Sequence, residues 1–155
     1  MAIDPAGPGD ASLPTHGTDG VADAAHTALA ADLDSAVAGA VRFDEYSQVL
    51  YATDGSIYGA RPAGVVIPED ESDVVAAVTV AADHGAPVLP RGAGSSLAGQ
   101  TVGPGCVVLD CSKHLNDICE IDATGKRARV QPGVVQDDLD SALAQHGLKF
   151  APDPA

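Results

Sequence analysis

The residues with the strongest chemical content lie between positions 90 and 103, which read Pro-Arg-Gly-Ala-Gly-Ser-Ser-Leu-Ala-Gly-Gln-Thr-Val-Gly. Gly92, Gly94 and Gly99 stand among Ala93, Leu97, Ala98 and two small hydroxyl residues, Ser95 and Ser96, directly after an apolar run that ends at Pro90. Glycine reaches positive φ without the steric penalty of a Cβ, so such a loop is free to turn successive main-chain N–H groups toward one point. Converging N–H groups form a concavity suited to phosphate oxygens, and Arg91 adds a positive charge. The pattern describes a cradle for a diphosphate, and through it a nucleotide cofactor. Ser95 and Ser96 are read either as phosphate donors or as turn residues bonded to their own backbone. Arg91 either serves the anion or pairs with a neighbouring aspartate.

Spacing excludes better-known loops. A dinucleotide fingerprint needs Gly-x-Gly-x-x-Gly opening a helix. Here four residues separate Gly94 from Gly99, and Pro104 followed by Val107-Val108-Leu109 announces a turn and another strand. A Walker loop ends in Gly-Lys-Ser/Thr, and residues 90–103 contain no lysine. The Gly-x-Ser-x-Gly nucleophile elbow, which also demands strand–turn–helix, fails at Ala98. A hydrolase using Ser96 is kept only as a subordinate alternative.

The elements that must hold this loop are legible as patterns. Val65-Val66-Ile67, bounded by Pro62 and Pro68, predicts a buried strand. Asp70, Glu71 and Asp73 place negative charge where a helix N-terminus favours it. Val74, Val78 and Ala82 then mark one helical face, and Gly85 is a stop signal. Strands are predicted over residues 86–89 and 106–110. A strand–helix–strand unit of this length implies a parallel pair with a right-handed crossover. The glycine loop then falls at the C-terminal end of its strand, where α/β sheets hold ligands. Residues 117–122 and 127–131 flank Ala-Thr-Gly-Lys and predict an antiparallel hairpin with Ile121 and Val130 facing inward. Val135, Leu139, Ala142 and Leu143 follow helical spacing up to Gly147. Pro152-Asp153-Pro154 is a rigid extended exit.

Upstream, residues 1–20 are rich in Gly, Pro, Asp and Thr and predict disorder. Residues 21–61 read as a helical extension and linker. The helix spans about residues 22–38, with Leu29, Leu33 and Val37 in line. Tyr51, Asp54 and Tyr58 form a polar and aromatic cluster with a packing role. Residues 62–155 form the domain proper. The fold class is α+β: a small parallel α/β unit beside the start of an antiparallel sheet.

Composition narrows the partners. The net charge is −14, with 18 Asp, 4 Glu and 3 Lys. Nucleic acid is excluded, because its phosphates require basic patches. An Asp-rich, Lys-poor surface fits a salt-adapted protein in a cytoplasm of high ionic strength, where self-repulsion is screened. No apolar run is long enough for a membrane span. The N-terminus carries no Lys or Arg before Arg42 and does not read as a targeting segment. Cys106, Cys111 and Cys119 form no Cys-x-x-Cys pair and predict buried free thiols. His16, His26, His84, His114 and His146 show no metal-ligand spacing. His84 and His146 each precede a helix-stop glycine, a position that favours a cation.

Taken in order, several strings resemble one family. They are Tyr51-x-x-Asp54, Arg61-Pro62-x-x-Val65-Val66-x-Pro68, Pro90-Arg91-Gly92-x-Gly94-Ser95-Ser96-Leu97-x-Gly99, Val130-Gln131-Pro132-Gly133-Val134 and Pro152-Asp153-Pro154. From about Arg42 to Ala155 the chain resembles the FAD-linked oxidases of the vanillyl-alcohol oxidase and p-cresol methylhydroxylase type. Within them it resembles the glycolate oxidase and D-lactate dehydrogenase branch. The resemblance implies the N-terminal part of a longer enzyme. Its FAD diphosphate would rest on residues 90–99, with Pro132, Gly133, Pro152, Asp153 and Pro154 near the flavin ring. It also implies hydride transfer from a small 2-hydroxy acid, D-lactate or glycolate, to FAD. Some relatives tether the flavin through a histidine in the glycine loop; Ser95 holds that place here, which implies non-covalent FAD. The family's substrate residues lie beyond Ala155, so no catalytic base and no metal ligand is assigned, and the electron acceptor is open. A nucleotide-binding module without chemistry is the competing reading. A cell-wall precursor reductase and a sugar-alcohol oxidase are alternatives within the superfamily.

Overall fold

The apolar runs of the sequence condense around one strand that is buried along its whole length. The computed structural model describes residues 19–152, so the expectation for residues 1–20 and the positions Asp153 and Pro154 fall outside the described residues, except that a helix already begins at Asp19. The elements are α1 (Asp19–Ala36), β1 (Ala40–Arg42), α2 (Glu45–Leu50), β2 (Gly64–Ile67), α3 (Glu71–Asp83), β3 (Val88–Arg91), β4 (Val107–Asp110), β5 (Ile118–Asp122), β6 (Arg127–Val130) and α4 (Gln136–Ala144). Four strands form a sheet in the order β1-β2-β4-β3, and β5 pairs with β6 in a separate two-stranded sheet.

The strand–helix–strand pattern predicted β2 and β3 as a neighbouring parallel pair. They are parallel members of one sheet, but β4 lies between them, with Val65 opposite Val108 on one side and Leu89 opposite Val108 on the other. The composition of the strands explains the order. β4 is buried at all four positions, which suits a strand covered on both faces. β3 contains Pro90, which cannot donate to a ladder and belongs on an edge. Residues 40–50, assigned no strand or helix from sequence, supply β1 and α2. β1 pairs antiparallel with β2, with Ala40 opposite Ile67 and Arg42 opposite Val65.

α1 and α3 cover this sheet. Leu29, Leu33 and Val37 of the α1 segment are buried with Val66, Val107 and Leu109. The predicted inward face of α3 is shifted: Val78 is 43% exposed, and the buried stripe is Asp73, Ala77 and Ala81. Alanines there leave room for the leucines of α1, which a valine stripe would not. His84, at the C-terminal cap of α3, reaches across to α1, with Nε2 2.7 Å from Asp32 Oδ2.

The helix start places a carboxylate inside the protein. Asp70 caps α3 by accepting from Ser72 N and Asp73 N. Asp73 itself accepts from three main-chain N–H groups, Ala38 at 2.8 Å, Gly39 at 2.9 Å and Glu69 at 2.9 Å. This carboxylate therefore joins the α1–β1 turn to the β2–α3 turn. Burial pushes its pKa up, but the three N–H donors outweigh that and hold it below the ordinary carboxylate value. Gly39 is required at the same junction, since a Cβ there would lie 2.1 Å from the Ile67 carbonyl oxygen.

The hairpin forms as predicted, with Ile121 opposite Ala128. Val130, expected inward, is 37% exposed, because this sheet has two strands and Val130 borders an open groove against α4. Cys106 and Cys111 are buried free thiols; Cys119, expected to be buried, is exposed on β5, where the register shifts between Ile118 and Glu120.

Asp73→Ala leaves three donors without an acceptor and is expected to destabilise the fold by about 3 kcal/mol, read as a lower melting temperature. The folded pKa of Asp73 is depressed, so its contribution is complete above the ordinary carboxylate pKa of about 4 and is lost as pH falls through the lower folded value. The difference in melting temperature between wild type and Asp73→Ala should therefore begin to narrow as pH falls below about 4 and go on narrowing toward the lower folded pKa.

Candidate functional site

β3 and β4 run parallel and end side by side, with Arg91 opposite Asp110 and Cys111 N donating to Arg91 O at 2.9 Å. The glycine loop leaves from this edge. Gly94 and Gly99 have φ of 68° and 78°, a region L-residues rarely adopt. Among the described residues, none of the main-chain N–H groups from Gly92 to Gly99 donates to a protein acceptor. Folded chains pair nearly all their main-chain donors internally or with water. Eight consecutive donors without a protein acceptor are left to water or to another molecule, and donors of this kind suit an anion.

The side chains of the loop divide into two groups. Ala93, Ser95, Leu97 and Ala98 are exposed, Leu97 at 68%. Ser96 Oγ bonds the Gln100 side chain and accepts from Gln100 N at 3.2 Å, the local turn role. Pro90 lies within β3 and Arg91 ends it.

The Arg91 side chain lies beneath the loop. Its guanidinium stacks 5.3 Å from the Tyr51 ring centroid. It also donates to the carbonyls of Tyr51 at 3.4 Å and Thr101 at 3.3 Å. A Cβ on Gly94 would lie 2.5 Å from Arg91 Nη2, so the glycine admits the cation directly under the main chain. The Tyr51 hydroxyl donates to buried Asp110 Oδ2 at 2.5 Å, and Ser112 donates to Asp110 Oδ1 through both N and Oγ. Burial, then the bond to Asp110, pushes the Tyr51 pKa up to about 12, so Tyr51 stays a protonated donor at ordinary pH. Asp54 accepts from Ser56 N at 2.9 Å and Thr101 Oγ1 at 3.0 Å. Hydrogen bonds from Ser56, then from Thr101, bring its pKa down to about 2.

The other predicted positions behave differently from one another. Pro132 is brought beside the loop: a Cβ on Gly92 would lie 3.4 Å from its carbonyl oxygen. Gly133 is buried, and its N–H donates to Leu115 O at 2.8 Å. A Cβ there would lie 2.2 Å from Cys111 O, so this glycine permits close packing of main chains. Pro152 accepts from Gln136 Nε2 at 2.8 Å and borders the groove between β6 and α4, with Val130, Leu139, Leu143 and Phe150. Sequence reasoning missed Asp110 and Thr101. An acid ending an apolar strand next to the loop's own strand is the signal that would have found Asp110.

This arrangement, a run of N–H groups without protein acceptors at the C-terminal edge of a parallel sheet with a cation beneath, has the donors and the charge that an anionic group requires. Residues 62–155 match the family of FAD binding domains, and the chain belongs to that family. It is similar to D-2-hydroxyglutarate dehydrogenase of Pseudomonas putida, 38% identical over 77% of this chain and 12% of that protein. It is also similar to glycolate oxidase subunit GlcD of Bacillus subtilis, 33% identical over 77% of this chain and 26% of that protein. Among solved structures, 4-ethylphenol oxidase from Gulosibacter chungangensis superposes with a TM-score of 0.71 at 25% identity, over 85% of this chain and 27% of that one. The fold is that of the p-cresol methylhydroxylase-type FAD-binding domains, and the cofactor is FAD. The chain spans about a quarter or less of the curated relatives named here.

The residues present fit a diphosphate: the donors are free, and the two positive-φ glycines keep Cβ atoms out of the loop where Arg91 and Tyr58 approach it. Gly94→Ala and Gly147→Ala both place a Cβ at positive φ, at a cost of about 1 kcal/mol. Only the former displaces Arg91, since nothing lies within 4 Å of a Cβ at Gly147. Purified full-length Gly94→Ala should lose most of its flavin absorbance, while Gly147→Ala retains it.

Proposed function

We propose that the full-length protein is an FAD-dependent oxidoreductase of small 2-hydroxy acids and that this chain supplies the part that grips the FAD diphosphate. The observation that carries the reading is the run of eight unpaired N–H groups from Gly92 to Gly99 in a chain of the FAD binding domain family. The relatives whose names specify glycolate and D-2-hydroxyglutarate as substrates support 2-hydroxy acids, with D-lactate as a third candidate.

The main chain of residues 92–99 would hold the diphosphate, with Arg91 contributing its charge from below. Pro132 and Gly133, together with Pro152, Asp153 and Pro154, would lie toward the flavin ring. Gly133 would act through its packing, because its N–H is already engaged. Ser95 at the loop position where some relatives carry a tethering histidine supports FAD held without a covalent bond. When bound, the flavin accepts a hydride equivalent from the carbon bearing the substrate hydroxyl. The protein's part in this chain is to place the cofactor and neutralise its charge.

The net charge of −14 supports a salt-adapted cytoplasmic protein. Among the described residues no helix is long and apolar enough to cross a membrane. A high salt concentration also screens the repulsion between an acidic protein and an anionic cofactor.

The full-length protein should purify with flavin absorption bands that bleach anaerobically on addition of D-lactate, glycolate or D-2-hydroxyglutarate. A folded, colourless protein that cannot be reconstituted with FAD would refute the assignment. Its melting temperature should rise as KCl increases from 0.1 M to about 2 M, over which the Debye length shrinks from about 10 Å to below 3 Å. A melting temperature that is flat or falls would remove the salt-adapted reading.

A further inference from the structure

The FAD domain match begins at residue 62, yet the contacts that shape the glycine loop come largely from residues 51–58. Gly55 N donates to Gly94 O at 2.9 Å. Thr101 Oγ1 donates to Asp54 Oδ2, and Arg91 donates to Tyr51 O. The Tyr58 ring lies against Gly99, where a Cβ would meet it at 2.8 Å. Gly55 packs so closely that a Cβ would lie 3.1 Å from Ser95 O and 3.2 Å from Ser96 O.

One of these contacts sets the direction of a donor. A trans peptide is planar, with C=O and N–H antiparallel. When Gly55 draws the Gly94 carbonyl toward itself, the Ser95 N–H of the same peptide must point away from Gly55, and it meets no protein acceptor there. The aim of Gly55 in turn depends on Asp54. Its Oδ1 accepts from Ser56 N, two residues on, and forms the Asx turn that presents the Gly55 N–H. Its Oδ2 holds Thr101 at the end of the loop. One carboxylate thus fixes both the turn that braces the loop and the loop's exit.

We infer that residues 51–58 are a brace that sets the shape of the N–H cradle, with Asp54 as its positioning residue. This rests on the FAD reading and extends it to a segment upstream of the matched domain. The brace holds the loop's main chain in one conformation before the cofactor arrives, so the entropy of ordering the loop is spent in folding and not in binding.

The test uses the full-length apoprotein, with FAD as the probe, followed by flavin fluorescence. Asp54→Ala should weaken FAD binding by about tenfold, the loss expected for hydrogen bonds to a charged group. Asp54→Asn, whose Oδ1 still accepts from Ser56 N while its Nδ2 donates to the Thr101 hydroxyl, should restore affinity to within about threefold of wild type. Val75→Ser, on the outer face of α3 and 66% exposed, should bind as wild type. Tryptic cleavage of the apoprotein after Arg91, read by mass spectrometry, should be several-fold faster in Asp54→Ala than in Asp54→Asn. Wild-type FAD affinity and wild-type cleavage in Asp54→Ala would overturn the brace while leaving the flavin assignment intact. If the wild-type protein takes no FAD, the flavin assignment fails; cleavage then decides the brace alone, and equal rates in wild type and Asp54→Ala overturn it.

Discussion

A main-chain N–H group needs an acceptor, and most of this structure is a device for supplying one. The parallel ladders on both sides of β4 satisfy the central strands. Asp70 and Asp44 cap their helices by accepting from the first-turn amides. Asp73 takes three amides at a junction where no strand or helix could. Against that background the stretch from Gly92 to Gly99 stands apart, because its donors have no protein acceptor. They are left to water or to another molecule, and under the proposed function that molecule is the FAD diphosphate.

The rest of the architecture keeps that stretch open. β4 occupies the centre of the sheet and β3 its edge, so the loop leaves β3 with no strand beyond it in that sheet. Asp110 at the end of β4 is buried and fully engaged by Tyr51 and Ser112. It therefore locks the Tyr51 ring, and the ring positions the Arg91 guanidinium. The positive charge acts through the loop and not across a gap. In a protein of net charge −14 this placement matters: a local charge under a peptide is screened less by salt than the diffuse negative field it opposes.

Much of the site was legible in the linear pattern. The glycines and serines of residues 92–99, the strand before them and the turn after them suit either a phosphate cradle or an ordinary glycine-rich turn, and it is the string of family motifs around them that favours the diphosphate. The family match over residues 62–155 agrees with that pattern. The inward face of α3 was not legible, because valine and alanine both satisfy an apolar period. Whether Val78 or Ala77 faces inward depends on how much room the leucines of α1 need. Nor was the exposure of Val130 and Cys119, since a hairpin's inner face is defined only by what packs on it.

By itself the sequence determined most of the strands and helices from α3 onward, where the chain must turn, and that residues 92–99 form a glycine-rich loop between two strands. These are local properties, set by side-chain period and by the freedom of glycine. Tertiary structure alone decided that β4 is inserted between β2 and β3, that Arg91 lies beneath the loop on Tyr51, and that Asp54 and Gly55 hold the loop from a segment some forty residues upstream. Those outcomes depend on competition among distant groups for the same buried space and the same hydrogen-bond acceptors. No window of the chain contains both competitors.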